Sequence, residues 1–289
     1  MDPNIYQIVE PIAELRPYIR RLLVADSPVA VDRIVRPAPT GYNYLGWAFA
    51  GTGTATVNEQ CQYLSSPARL HFSGQIQYQD IAVHHTGRLG HILAECTATG
   101  FYELTGIPGE RILATSGHLD EVDPELAAPI DRVLATFANP DDSGDRTTHR
   151  LKIFQQQLCV HANNALSVPD YISKTVIAIE NADGCLKVSD VFQAVPASAR
   201  QIRRKFKEIV GVSPKYFAKV LQINKALLAL YAKDEVTLST LAQEAGFYDQ
   251  AHFVHAMQQF FTTSPRDFLE SSEPLLSTFL GQSRRNLSN

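Results

Sequence analysis

Over residues 202–217 the chain reads Ile-Arg-Arg-Lys-Phe-Lys-Glu-Ile-Val-Gly-Val-Ser-Pro-Lys-Tyr-Phe, and over residues 253–268 it reads Phe-Val-His-Ala-Met-Gln-Gln-Phe-Phe-Thr-Thr-Ser-Pro-Arg-Asp-Phe. The two stretches align at an offset of 51 residues. Ile202, Phe206, Ile209 and Val210 return as Phe253, Met257, Phe260 and Phe261, a spacing that places four apolar side chains on one face of a helix. Both copies end in Ser-Pro, where serine is a natural N-cap and proline suits the first position of a following helix. Short amphipathic runs, Val188 to Val195 and Leu238 to Ala245, precede the two copies and are set off by tight turns. The repeated unit is therefore helix, turn, helix, found twice. A long helix from Pro214 to about Ala232, carrying Phe217, Leu221, Leu228 and Tyr231, is expected to join the units.

Charge separates the two copies. From Ser198 to Lys225 the cations Arg200, Arg203, Arg204, Lys205, Lys207, Lys215, Lys219 and Lys225 face Glu208 alone, whereas from Asp234 to Glu273 seven carboxylates face Arg266 alone. The overall net charge of −4 conceals this contrast. At about 100° per residue, Arg200, Arg203, Arg204 and Lys207 fall within an arc of roughly 100°, opposite Ile202, Phe206, Ile209 and Val210. A helix with one buried and one cationic face fits the major groove, where guanidinium forks pair with guanine acceptors and other cations meet phosphate. Double-stranded DNA is the expected partner.

The residues Leu241-Ala-Gln-Glu-Ala-Gly-Phe-Tyr-Asp-Gln-Ala-His-Phe and Phe260-Phe-Thr-Thr-Ser-Pro-Arg-Asp-Phe carry a resemblance to the AraC/XylS family of bacterial transcription regulators, over about 169–270. The resemblance implies a seven-helix domain whose two recognition helices enter successive major grooves. By position in the motif, Arg200, Arg203 and Arg204 would face bases from the first recognition helix, and Gln250, Ala251, His252 and His255 from the second. Lys205 and Lys207 would serve the phosphate backbone. The chain departs from the pattern twice. At the repeat offset the four cations become Ala251, Val254, His255 and Gln258, so the second helix is expected to bind more weakly. Pro196 also stands where the first turn would carry glycine, and proline cannot adopt a left-handed turn.

Upstream, the 289 residues leave room for a second core, and a 45% apolar, 19% charged composition suits globular folding. Short strand-like runs at Tyr6, Tyr44, Thr54, Arg69, Gln75 to Val83 and His91 suit an antiparallel barrel or sandwich. Helical spacing follows from Asp123 to Phe137 and from Thr148 to Ala165, with a turn-rich acidic loop between. The expected fold class is α+β in two domains. It comprises a β-rich sensing domain over 1–120, a helical hairpin over 121–166 that would serve dimerisation, a double helix-turn-helix domain over 167–272 and a polar tail over 273–289. The domain order, and more weakly Gly100-Phe-Tyr-Glu-Leu-Thr-Gly-Ile-Pro, resembles family members with a cupin-like sensing barrel. Tyr44, Trp47, Phe49, His71, Phe72 and Tyr78 are the candidates to line a small-molecule effector site.

Other chemistry finds little support. Cys61, Cys96, Cys159 and Cys185 lie more than 20 residues apart without a paired-cysteine motif. Adjacent His84 and His85 point to opposite faces of a strand, and His91 with Glu95 lacks an evident third ligand, so neither metal nor other cofactor is expected. No nucleophilic triad or phosphate loop is present, which points away from an enzyme; the rivals are a regulator whose N-terminal domain only dimerises or binds a protein partner and a cupin-type metalloenzyme with an appended DNA-binding domain. Without a leader or an apolar span the chain is expected to be cytoplasmic, with a homodimer and a contact to RNA polymerase among its candidate assemblies.

Overall fold

The computed structural model describes residues 6–35, 37, 39–77, 81–138, 146–232 and 237–261. Tyr78, the acidic loop, the second Ser-Pro unit and the 273–289 tail lie outside the described residues.

Strands β1 (Tyr6–Val9), β2 (Ile19–Val35), β3 (Tyr44–Val57), β4 (Gln60–Leu64), β5 (Leu70–Ser73), β6 (Ile81–Cys96) and β7 (Ser116–His118) form one sheet in the order β1-β2-β6-β3-β5-β7, with β4 also on β3. Every pairing is antiparallel. Among the described residues no ladder joins β1 to β7. Register shifts between Asp26 and Ala30 in β2 and between Ala48 and Thr52 in β3 bend the long strands, as bulges do. The long β2 was not anticipated, because Arg20, Arg21, Asp26, Pro28, Asp32 and Arg33 interrupt its apolar pattern. Yet Leu22, Leu23, Val24 and Ala25 are buried in succession, the mark of a strand covered on both faces. Of the run expected from Gln75 to Val83, Gln75, Ile76 and Gln77 are not strand, and strand is described from Ile81.

Alternation assigns the sheet two faces. Leu45, Trp47 and Phe49 of β3, with Ile92, Ala94 and Cys96 of β6, pack beneath α1 (Gly100–Thr105), α2 (Pro124–Phe137) and α3 (Thr147–Ala162), meeting Phe101, Ile130, Leu134, Phe154 and Leu158. Helix α2 starts as its sequence promised: the Asp123 carboxylate accepts from Leu126 N–H at 3.0 Å and Pro124 occupies the first turn. Both hairpin helices thus bury their apolar faces on their own sheet.

Among the described residues six helices follow: α4 (Asp170–Asn181), α5 (Val188–Gln193), α6 (Ala199–Val210), α7 (Pro214–Ala232), α8 (Leu238–Glu244) and α9 (Gln250–Phe261). Phe206, Ile209 and Val210 of α6, Phe217, Ile223 and Leu227 of α7, and Phe253, Met257 and Phe260 of α9 share one core, so the repeated apolar skeleton is what the two units bury together.

The sheet docks on the first unit. Tyr42 enters the helical core edge-on to Phe217, with centroids 5.8 Å apart. Gln75 Nε2 donates to Val210 O at 2.7 Å, Tyr216 OH to Ile76 O at 2.9 Å, and Asn224 Nδ2 to Pro39 O at 3.1 Å. A Cβ on Gly109 would lie 2.7 Å from both Gly211 N and Ile209 O, backbone atoms at the end of α6 that have no side-chain freedom to yield. Gly109→Ala is therefore expected to lower unfolding stability by about 1–3 kcal/mol, the usual cost of overpacking, while Glu110→Ala at the exposed neighbour changes it by less than about 0.5 kcal/mol. Urea denaturation measures both.

Candidate nucleic-acid interface and sensing face

Helix α6 is capped at both ends. The Ser198 hydroxyl accepts from Gln201 N–H at 3.2 Å, and Gly211, at φ 98°, returns its N–H to Lys207 O. Ile202, Phe206, Ile209 and Val210 are fully buried, while Arg200, Arg203, Arg204 and Lys207 are exposed. The four cations therefore form one continuous outward stripe. Helix α5 packs behind it and steers one member: the Arg203 guanidinium lies 5.2 Å over the Phe192 ring.

Lys205 departs from its expected role. It is half-buried, off the stripe, and its ammonium is 2.5 Å from Glu208, which also approaches Arg204 at 3.8 Å. Its pKa is raised, first through the hydrogen bond to Glu208. Lys205 is thus committed to an intrahelical pair rather than free for phosphate. Lys207 has a distant counterion, Glu110 of the sheet domain at 3.9 Å. The i, i+3 and i, i+4 spacing to Glu208 was readable in the sequence; Phe192 and Glu110 were not, since neither shares the helix.

Gln250, Ala251, His252 and His255 all lie exposed on α9, whose start is capped by the Asp249 carboxylate accepting from His252 N–H at 2.7 Å. The second recognition surface therefore opens with an anion and carries no Arg or Lys among the described residues. Burial, followed by nearby Lys219, lowers the His252 pKa and favours its neutral form. His255 Nε2 lies 3.2 Å from Gln259 Nε2. The turns differ as Pro196 implied. The α8–α9 turn uses Gly246 at φ 73°, whereas no residue between α5 and α6 takes a positive φ.

The six candidate effector residues do not share a face. Trp47, Phe49 and Phe72 belong to the core under α1–α3: Trp47 Nε1 donates to Pro67 O at 2.7 Å, and the Arg150 guanidinium lies 4.5 Å over Phe49. They are structural there, because strand alternation sends odd-numbered β3 residues toward the helices. Tyr44 and His71 lie on the opposite, helix-free face, and Tyr78 is outside the described residues. On that face His71 meets His91, with Nε2 atoms 3.1 Å apart. Burial pushes His71 down to about 3 and His85 down to about 4, and holds His91 well below the usual histidine range.

Between this face and the helical domain runs a buried polar chain that no motif announced. Glu95 accepts from Arg21 Nε at 2.6 Å, Arg20 Nη1 at 3.0 Å and Tyr44 OH at 2.7 Å. Arg20 stacks 3.8 Å over the Tyr42 ring, and Tyr42 OH donates to Glu180 of α4 at 2.9 Å.

Two helix-turn-helix units, one with a bare cationic stripe, joined to a β-rich domain, define a DNA-binding regulator. Residues 192–271 match the family model described as a helix-turn-helix domain. No curated protein matches the chain. Among solved structures it is similar to unsaturated fatty acid-bound ToxT from Vibrio cholerae, at 10% identity over 84% of this chain and 96% of that chain, with a TM-score of 0.43. It is also similar to the AraC-like transcriptional activator CuxR, at 11% identity over 80% of this chain and 88% of that one, with a TM-score of 0.28. The xylose-binding activator XylR matches at 23% identity over 37% of this chain and 28% of that one, with a TM-score of 0.31. At such distances a likeness transfers no ligand from one protein to another.

Burial acts on Glu95 to raise its pKa, but Arg21 and then Arg20 outweigh it and hold the carboxyl below its ordinary value. A carboxylate held low stabilises the fold above its unfolded pKa, roughly 4.3, and that stabilisation is lost as pH falls toward and through the folded value. Arg21→Leu is expected to lower stability by about 3–5 kcal/mol near neutrality, the usual cost of stranding one member of a buried ion pair. The deficit should narrow as pH drops below about 4 and Glu95 becomes neutral. Urea unfolding of wild type and variant at the two pH values checks both the size and the sign.

Proposed function

We propose that the protein is a cytoplasmic transcription regulator that reads double-stranded DNA chiefly through α6, with Arg200, Arg203 and Arg204 at base edges and Lys207 on phosphate. The carrying observation is the stripe itself: four exposed cations directly opposite four fully buried apolar residues on one capped helix. Helix α9 acts as the weaker half, its Gln250, Ala251, His252 and His255 contributing contacts that lack a guanidinium fork. The neutral, anion-capped surface of α9 favours a second reading for that half alone, in which it meets a protein such as RNA polymerase.

Control by a small molecule fits the helix-free face of the sheet, where Tyr44 and His71 lie. Tyr44 bonds Glu95, and the strand bearing His71 runs on to Gln75, which grips the last turn of α6 through Val210 O. A ligand that moves this face thereby acts on the angle of the DNA-reading helix. A homodimer is assigned to the outer face of the α2–α3 hairpin, where Val160 is 57% exposed.

On operator DNA selected from a random pool, Arg203→Ala is expected to weaken binding by about 1–3 kcal/mol and to relax choice at one base pair, with His255→Ala much milder. Fluorescence anisotropy on matched and mismatched operators measures both. Equal losses from the two variants would overturn the asymmetric reading, and unchanged base preference in Arg203→Ala would overturn base contact by that residue.

A further inference from the structure

The helix-free face of the sheet gathers four histidines from three strands: His71 on β5, His85 and His91 on β6, and His118 on β7. His71 and His91 face each other through their Nε2 atoms at 3.1 Å, with ring centroids 4.9 Å apart. His118 is the register partner of His71 across β5 and β7, and the His85 ring lies 6.3 Å from that of His91. The sequence has made room for them. A Cβ on Gly46, which lies between His71 and Leu93 in the sheet, would stand 2.3 Å from His71 Nε2, and one on Gly53 would stand 3.3 Å from His85 Nδ1. His71, His91 and His118 are all at least nine-tenths buried. His91 Nδ1 is buried with no hydrogen-bond partner among the described residues. The buried carboxylate on the same face, Glu95, is already held by Arg20 and Arg21.

Facing nitrogens of two neutral imidazoles share a single proton. Two imidazole nitrogens bound to one tetrahedral ion at about 2.0–2.1 Å stand roughly 3.3 Å apart, so a metal ion can take the place of that proton, which moves to Nδ1 of the ring that carried it, with little movement of either ring. Among the described residues no three donors already converge on one point. His85 and His118 flank the facing pair, one on each side, as the donors whose rings turn to complete a coordination sphere. A set made of imidazoles, without sulfur or a free carboxylate, suits zinc, nickel, cobalt or copper and not magnesium or calcium.

We propose that His71 and His91 are the primary ligands of a buried site for a divalent first-row transition metal, completed by His85 and His118. The sequence shows no such site, because its two primary ligands lie 20 residues apart along the chain and meet, with His118 of a third strand beside them, only through strand register.

The test uses the full chain, stripped with a chelator and titrated with zinc alone and then cobalt alone, in the absence of DNA. It therefore stands apart from the regulatory reading. One equivalent per chain is expected, with a visible cobalt absorption typical of nitrogen coordination. His71→Gln and His91→Gln should each abolish that absorption while keeping the far-ultraviolet circular dichroism of the wild type. His84→Gln should retain it, since His84 turns to the other face and pairs with Asp32 at 2.6 Å. No stoichiometric binding by the wild type, or equal binding by His71→Gln and His91→Gln, overturns the proposal. Where a histidine variant fails to fold, X-ray absorption at the cobalt edge of the wild-type protein decides: imidazole scattering supports the site, and thiolate or carboxylate ligation overturns it.

Discussion

A carboxylate removed from water must be neutralised within the protein, and meeting that need at Glu95 organises the junction of the two halves of the molecule. Glu95 has no side-chain exposure, and the cost of burying an unpaired charge there exceeds the stability margin of an ordinary domain. Arg21 and Arg20 are drawn in from β2 and Tyr44 from β3, which locks the register of three strands at their ends. Arg20 then lies over Tyr42, and Tyr42 reaches Glu180 on the first helix of the C-terminal domain. Because Tyr42 and Phe217 also pack edge to edge, apolar and polar contacts fasten the same point.

The position of α6 follows from that junction. With β3 anchored, β5 beside it carries Gln75 against Val210 O, and the turn at Gly109 closes on the backbone beyond α6. The outward face of α6 is left to its cations, while its inner face is shared between the helical core and the sheet domain. Helix α9 is placed differently: its contacts run through the core of the C-terminal domain, with Phe260 stacked on Tyr216. Helices α6 and α9 thus differ in support as well as in charge.

Where reading the chain succeeded, the evidence was local. The caps at Ser213 and Asp123, the apolar faces of α6 and α9, and the exposed cations all follow from spacing within a few turns of helix. It failed where a strand is two-sided. β2 departs from alternation at Leu22–Ala25, which are buried in succession, and a register shift between Asp26 and Ala30 interrupts the pattern beyond them. The candidate sensing residues were chosen for aromatic character, yet a single step along β3 separates Tyr44 from the face of Leu45, Trp47 and Phe49. Lys205 differs, since its charge and its i, i+3 spacing to Glu208 are both visible in the sequence.

The sequence by itself determined that there are two helix-turn-helix units, that they share one apolar skeleton, and that only the first carries arginines on its open face, since helical periodicity and capping are set by residues three to four positions apart. The tertiary structure alone decided that Glu95 meets Arg21, that His71 meets His91, and that Gln75 holds the end of α6, pairs separated by 74, 20 and 135 residues. Those meetings depend on strand register and on the docking of two domains, and a one-residue slip in register would turn each side chain to the other face.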